Sequence, residues 1–463
     1  MTNAKSFDTL DLKASLLGAL GNLGYAEMTP VQAHALPPVI RGADVLARAK
    51  TGSGKTAAFG LGVLNKLDAT QFRTQALILC PTRELADQVA KELRSLASGI
   101  GNIKILTLCG GTPLGPQIAS LAHSPHIVVG TPGRVLQHLR KAKLTLLALT
   151  TLVLDEADRM LDMGFAEELD EIVEHVPGDR QTLLFSATYP AGIARVSKRI
   201  QREPVTVDVT DTEQPAQIVQ RWARVTRDNR DAELLRALRA WGGTLNLVFC
   251  NTKIDCAHVG ATLRDRGIAA LALHGDLDQA ERNEVLVRFA NHSASVLIAT
   301  DVAARGLDVK NLDVVVNYEL PRQAEVYVHR IGRTGRAGAQ GLAVSLVEER
   351  ELWRWRDIEA LMPDDIPKHT AIPDAPRDSD VLAPAMTTIK INGGRKNKLR
   401  PGDLLGALTA ENGVPGDSVG SIDLFDKVAY VAIRNANAGK ALRQLAGRPI
   451  KGRKYRAWSV ARM

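Results

Sequence analysis

The stretch Val45-Leu46-Ala47-Arg48-Ala49-Lys50-Thr51-Gly52-Ser53-Gly54-Lys55-Thr56 decides how the rest of this 463-residue chain is read. Apolar residues run into a segment of small ones, which ends at a lysine and a threonine and continues as an apolar helical pattern. Small residues let backbone N–H groups converge on phosphate oxygens at a helix N-terminus. In that reading Ala49, Thr51, Gly52, Ser53 and Gly54 form a cradle, Lys55 reaches the β- and γ-phosphates of a nucleotide, and the Thr56 hydroxyl sits on Mg²⁺. The first position departs from the pattern G-x-x-x-x-G-K-[ST], being Ala49. A methyl group there costs little if the residue does not need a positive φ.

Roughly a hundred residues later, Thr151-Leu152-Val153-Leu154 leads into Asp155-Glu156-Ala157-Asp158. Carboxylates at the C-terminal end of a buried strand face the ligand crevice of an open α/β sheet. Asp155 is expected in the Mg²⁺ shell, through water, because Mg²⁺ keeps several waters. Glu156 can polarise the attacking water as general base. Alone, this acidic run reads better as a solvated helix start; after a buried strand and a phosphate cradle it reads as the second half of a nucleotide site.

Outward from these two segments, short apolar runs alternate with helical patterns. Ala76–Leu79, Ile103–Leu108, His126–Val129, Thr151–Leu154 and Thr182–Phe185 form one series; Asn246–Phe249, Val296–Ile298, Val314–Val316 and Leu342–Leu346 form another. Such alternation predicts an α/β chain of two parallel sheets with helices on both faces. Glu203–Gln217, with two prolines and several acids, reads as a joint that permits hinge motion. Leu361–Ala385 carries five prolines among polar residues, a composition that reads as a linker building no core. Beyond it, a strand, a helix, two strands, a helix and a last strand over Thr388–Val460 suggest a split βαβ, RRM-like sheet. The expected divisions are 1–205, 206–362, the linker 363–385 and the small domain 386–463.

The formal net charge is +8, and its distribution is uneven. Ala385–Met463 holds fifteen Lys/Arg and five Asp/Glu, while the remaining 384 residues hold 44 basic and 46 acidic side chains. All of the excess positive charge is therefore C-terminal, which favours a polyanion such as nucleic acid. Cys80, Cys109, Cys250 and Cys256 form no CxxC pair and no zinc-type cluster, as expected of reduced thiols. The start MTNAKSFDTLD lacks an apolar signal region, and the longest apolar stretch, Leu144–Leu154, is too short to span a bilayer. A cytoplasmic address and no membrane partner are expected.

With these segments in place the chain closely resembles the DEAD-box RNA helicases from about Phe7 to Glu348. The resemblance implies two tandem RecA-like domains, ATP as substrate with Mg²⁺, and RNA as partner. Phe7, Gly24-Tyr25 and Thr29-Pro30-Val31-Gln32 are similar to the family's adenine-reading segment, with an aromatic ring stacking and Gln32 on the base edge; an amide both gives and takes hydrogen bonds. Pro81-Thr82-Arg83, Gly110-Gly111 and Thr131-Pro132-Gly133-Arg134 match motifs that grip RNA through its sugar–phosphate backbone. Ser186-Ala187-Thr188 matches the segment that couples hydrolysis to strand separation. In the second domain the resemblance assigns Gln279, Arg282 and Thr300 to RNA and Asp308 to the ATP ribose. In His329-Arg330-Ile331-Gly332-Arg333-Thr334-Gly335-Arg336 it makes Arg333 and Arg336 finger arginines and has His329 communicate with the carboxylates.

The small C-terminal unit resembles the RNA-binding domain of the bacterial DbpA group. That likeness implies a 23S ribosomal RNA hairpin near the peptidyl-transferase centre, and pre-50S particles, as partners of a monomer. An ordinary RRM stacks bases on sheet aromatics. Here the first strand has none and the central strand offers only Tyr430, so Arg395, Lys396, Lys398, Arg400, Lys451 and Arg453, with Lys454, are expected to carry recognition. The rival readings are a binding-only RNA chaperone, a DNA helicase, and a DEAD-box protein of RNA decay or cold adaptation; Lys55, Glu156 and Arg336 speak against the first.

Overall fold

Short apolar segments pair as parallel strands: β1 (Val45–Arg48), β2 (Ala76–Leu79), β3 (Ile105–Leu108), β4 (Ile127–Gly130), β5 (Thr151–Leu154), β6 (Gln181–Ser186) and β7 (Val205–Asp208) make one sheet, in the order β3-β4-β2-β5-β6-β1-β7. A computed structural model describes residues 6–49, 52–189, 191–209, 218–304, 312–335, 340–362, 368–374 and 382–460. These fold as two compact units, one formed by residues 6–209 and the other from residue 218 onward.

In the first unit β2, β4 and β5 are buried at every residue, as parallel strands covered on both faces must be. Side chains alternate across the sheet with period two. Val45, Ala47, Ile78, Val129, Val153 and Phe185 pack on one face with the helices Pro30–Ile40, Lys55–Lys66 and Arg83–Leu96. Leu46, Leu77, Val128, Leu152 and Leu184 pack on the other with Pro132–Arg140, Ala157–Asp162 and Ala166–Glu174. The expected boundary after residue 205 cuts β7, which pairs with β1 over Val45↔Val205 to Arg48↔Asp208; the first sheet therefore runs to Asp208.

The second unit holds β8 (Ile218–Val225), β9 (Asn246–Cys250), β10 (Ala270–Leu273), β11 (Val296–Thr300), β12 (Val314–Asn317), β13 (Gly341–Glu348) and β14 (Lys368–His369), ordered β10-β11-β9-β12-β13-β8-β14. β14 corrects the expectation that the proline-rich segment contributes no core. Lys368 and His369 add a short parallel strand to β8, the His369 ring stands edge-on to Trp222 at 4.6 Å, and Ile372 and Leu382 are buried in the core behind β9 and β12. Prolines stop the segment from forming a helix but leave it free to lie extended along an edge.

The C-terminal part pairs β15 (Met386–Ile391), β16 (Val419–Leu424), β17 (Ala429–Arg434) and β18 (Ala457–Ser459) antiparallel, in the order β16-β17-β15-β18. With the helices Pro401–Thr409 and Ala438–Gly447 this is the expected split βαβ arrangement. Ile389, Ile391, Val431 and Ile433 face these helices, with Leu404, Leu408 and Leu445 completing the core.

Candidate nucleotide site and nucleic-acid interface

The phosphate loop joins β1 to the Lys55–Lys66 helix, with Gly52 and Gly54 at φ +87° and +94°. Lys55 is buried at the start of the helix, its Nζ donating to the Ala49 carbonyl at 3.0 Å. The Ser53 hydroxyl is buried without a hydrogen-bond partner. An orphaned hydroxyl and a lysine at a helix N-terminus suit phosphate oxygens. Gln32 braces the loop: its Oε1 accepts from the Thr29 amide at 2.9 Å and its Nε2 donates to the Gly54 carbonyl at 3.1 Å. A β-carbon on Gly54 would stand 2.5 Å from that Nε2. One lone pair and one N–H of the amide remain for a base edge. Phe7 and Tyr25 meet edge to face at 6.2 Å, and burial and the Glu92 carboxylate raise the Tyr25 phenol above its usual range.

Asp155 and Glu156 follow β5, and both are buried. Glu156 sits in the left-handed region (φ 51°, ψ 51°), an unfavourable backbone for a glutamate, and its amide donates to Asp155 Oδ1 at 3.0 Å. Burial pushes the Asp155 carboxyl up to about 7; Lys55 pulls it down by less, and Glu156 adds to the rise. A carboxylate so short of positive charge fits a divalent cation. Among the described residues no cluster of three or more His, Cys, Asp or Glu could hold a metal.

Asp158 faces β6. Its Oδ2 accepts from the Thr188 amide at 2.9 Å and the Thr188 hydroxyl at 2.8 Å. Ser186 donates its hydroxyl to the Thr188 carbonyl at 2.6 Å, and its own carbonyl accepts the Ala49 amide at 3.0 Å. The phosphate loop, Ser186–Thr188 and the acidic segment are thus one hydrogen-bonded assembly across β1, β6 and β5.

The neighbouring strands β2, β4 and β3 end in the segments expected to hold RNA. Thr82 follows β2 and caps the Arg83–Leu96 helix, accepting from the Leu85 amide at 3.3 Å; Pro81 is buried beside it. The Arg83 guanidinium lies over the turn after β3: a β-carbon on Gly111 (φ +68°) would stand 1.9 Å from Arg83 Nη1, and one on Gly110 3.9 Å from Nη2. After β4, Thr131 precedes the Pro132–Arg140 helix, whose first turn carries Gly133 and Arg134. Arg134 donates to the Thr112 carbonyl at 3.0 Å and to Gln117 Oε1 at 2.9 Å; burial and then repulsion from Arg83 lower its guanidinium pKa. Arg83, Gly110, Gly111 and Arg134 therefore come together at the carboxyl edge of the first sheet.

In the second unit Gln279 and Arg282 occupy the first turn of the Gln279–Ala290 helix. Arg282 donates to the Ala303 carbonyl at 3.2 Å, and the Ala303 amide donates to the Thr300 hydroxyl at 3.3 Å. His329 lies half-buried in the Ala324–Ile331 helix and Arg333 is buried just after it. Thr51, Asp308 and Arg336 lie outside the described residues. In the C-terminal part Arg395, Lys396, Lys398 and Arg400 sit in the segment after β15, and Lys451, Arg453 and Lys454 in the turn before β18, all exposed. Lys451 ties the two segments together, donating to the Lys398 carbonyl at 3.0 Å and pairing with Asp403 at 2.8 Å; Lys396 pairs with Asp426 at 3.3 Å.

The DEAD/DEAH box helicase family matches residues 29–196, the helicase conserved C-terminal domain residues 231–338, and the DbpA RNA binding domain residues 388–458. The chain is 52% identical over 452 residues to the ATP-dependent RNA helicase DbpA of Escherichia coli, covering 97% of this chain and 98% of that protein. The chain belongs to the DEAD-box RNA helicases, in their DbpA group. It is also 41% identical over 355 residues to the DEAD-box ATP-dependent RNA helicase CshA of Geobacillus kaustophilus, covering 76% of each. The solved structure of S. cerevisiae Dbp5 bound to RNA and ADP BeF3 is similar, with 29% identity and a TM-score of 0.70, covering 81% of this chain and 96% of that one.

In this DEAD-box helicase one buried residue escaped the motif-based reading. Arg330 uses all five N–H donors: to both oxygens of Asp301 (2.7 and 2.8 Å), Asn317 Oδ1 (3.2 Å), the Glu319 carbonyl (2.7 Å) and Asn251 Oδ1 (2.9 Å). It thereby locks together the ends of β9, β11 and β12. The available signal was helical periodicity, since Arg330 shares its stripe with Tyr327 and Ile331, both buried. Among the described residues no helix is long and apolar enough to cross a membrane.

Proposed function

We propose that this ATP-dependent RNA helicase opens short RNA duplexes during assembly of the large ribosomal subunit, acting as a cytoplasmic monomer on pre-50S particles. The C-terminal domain would anchor it to a 23S ribosomal RNA hairpin near the peptidyl-transferase centre. The observation that carries the motor part is the division of one sheet edge. The phosphate cradle, the acidic segment and the candidate coupling segment follow β1, β5 and β6 in turn, the candidate RNA-gripping residues follow β2, β3 and β4, and Asp158–Thr188 links the acidic segment to the coupling segment.

In this reading the phosphate-loop amides, Lys55 and the Ser53 hydroxyl hold the triphosphate, while Gln32 and the Phe7–Tyr25 pair hold the base. Mg²⁺, held through Thr56 and Asp155, would supply charge neutralisation on the phosphates. Glu156 takes the proton of the attacking water. Arg333 and Arg336 are the candidates for stabilising charge on the terminal phosphate, and His329 for signalling to the carboxylates. Asp308 is the candidate ribose ligand. Arg83, Arg134, Thr82, Thr131, Gln279, Arg282 and Thr300 hold the sugar–phosphate backbone without reading bases.

The anchoring part is supported by exposed cations on two loops tied by Lys451, which suit a folded hairpin better than a stack of bases. The test is ATP hydrolysis by the full chain with a 23S fragment containing the hairpin, against unrelated RNAs of equal length. A strong preference for the fragment, lost when residues 386–463 are removed, is expected; equal stimulation by all RNAs overturns the anchoring role.

A further inference from the structure

The open face of the C-terminal sheet is not free. In register, Lys390 lies opposite Tyr430 on one side and Trp458 on the other, and Thr388 lies opposite Ala432. These residues alternate with Ile389, Ile391, Val431 and Ile433, which face the domain's own helices. An RRM offers bases this outward face. Here the Gln279–Ala290 helix of the second motor domain and the residues after it lie against that face. Glu284 Oε2 accepts from Lys390 Nζ at 2.7 Å and from the Tyr430 hydroxyl at 3.2 Å. At the far end of the helix the Ser293 and Thr388 hydroxyls meet at 2.7 Å and the Met386 amide donates to the His292 carbonyl at 3.3 Å. Thr388 and Tyr430 are buried, and the Lys390 and Glu284 side chains are only 25% and 21% exposed.

The same helix begins with Gln279 and Arg282. Glu284 is two residues beyond Arg282, which at 3.6 residues per turn puts the two side chains about 200° apart around the axis. One face of this helix thus binds Ala303, beside Thr300, while the opposite face binds the C-terminal sheet. A single rigid element carries both groups of contacts.

We propose that Glu284 is a positioning residue: through Lys390 and Tyr430 it seats the RNA-anchoring domain on the back of the helix that grips the RNA being unwound. Anchoring then fixes where the gripping face meets the adjoining strand, and the docked sheet face takes no bases. The proposal rests on the reading that the basic loops hold the RNA anchor. A surface ion pair contributes little, but this one is partly desolvated and shares its acceptor oxygen with a buried phenol, so removing the carboxylate leaves two donors without it.

The experiment uses the full chain with Glu284→Gln, Lys390→Met and the charge swap Glu284→Lys/Lys390→Glu. Three quantities are read: affinity for a hairpin RNA, kcat of ATP hydrolysis with that hairpin joined to a short duplex, and kcat with hairpin-free RNA at saturation. The single variants are expected to keep hairpin affinity within about twofold and to lose on the order of tenfold in hairpin-stimulated kcat, with hairpin-free kcat unchanged and the swap restoring most of the loss. Amide hydrogen exchange at Met386–Ile391 should rise in both single variants without any RNA. Unchanged hairpin-stimulated kcat, a swap that restores nothing, or unchanged exchange overturns the proposal. A wild-type chain that does not prefer hairpin RNA overturns the anchoring reading instead, and the exchange result then still decides whether Glu284 seats the domain.

Discussion

Thr188 gives both its amide and its hydroxyl to one oxygen of Asp158, at 2.9 and 2.8 Å. Two hydrogen bonds to a single buried carboxylate oxygen make the segment after β6 a direct extension of the acidic segment after β5. The Ser186 carbonyl in turn accepts the Ala49 amide at 3.0 Å, so the acidic segment and the first residue of the phosphate loop are hydrogen-bonded to the same stretch of chain.

Thr188→Val removes the hydroxyl and keeps the shape. Hydrogen bonds to charged groups contribute about 1.5–3 kcal/mol, so duplex separation is expected to fall on the order of tenfold or more while RNA-stimulated ATP hydrolysis stays within about threefold. Parallel measurement of phosphate release and strand displacement decides it; an equal fall in both would remove the coupling role.

Gly111→Ala places a methyl group against the Arg83 guanidinium at a left-handed backbone position. The left-handed backbone alone costs an alanine about 1–2 kcal/mol. With Arg83 displaced as well, the RNA concentration for half-maximal ATP hydrolysis should rise about tenfold, with the ATP KM little changed. An unchanged RNA dependence would mean that Arg83 does not touch RNA.

Glu156→Gln should retain ATP and RNA yet turn over slowly, and Arg336→Ala should abolish RNA-stimulated hydrolysis while ATP still binds. Fingers of this kind contribute on the order of 10³–10⁵ in rate. Fast phosphate release by either variant in single-turnover mixing would strip that residue of its assigned part.

Arg330→Met strands the Asp301 carboxylate and removes five hydrogen bonds from the ends of three strands. Breaking a buried pair by deleting one partner costs about 3–5 kcal/mol. Urea unfolding should show a loss of that size in the transition of the second motor domain; a loss under about 1 kcal/mol would make the network ornamental.

The sheets were legible in the sequence because parallel strands buried on both faces need continuous apolar runs. Ala76–Leu79 and Thr151–Leu154 carry that signature without ambiguity. Edge strands do not: β7 reads Val-Thr-Val-Asp with one buried residue, and β14 is a Lys-His pair among prolines, so both passed for linker. At the site, glycine and acidic motifs announced the cradle and the carboxylates. The brace from Gln32 to Gly54 and the Arg330 hub escaped notice because each depends on which distant backbone the fold brings alongside. Docking of the C-terminal sheet was invisible for the same reason: Glu284 is an ordinary helix-surface residue until Lys390 and Tyr430 arrive from more than a hundred residues away.

The two-residue strand β14 has a practical bearing on shortened versions of this protein. It lies along β8, an eight-residue strand whose other neighbour is β13, and it satisfies part of an otherwise bare row of amides and carbonyls. Bare strand margins recruit other chains. Ending the polypeptide at Met362 would strip that cover and uncap the side of the core sealed by Ile372 and Leu382, inviting self-association; ending it just before Met386 would keep the seal.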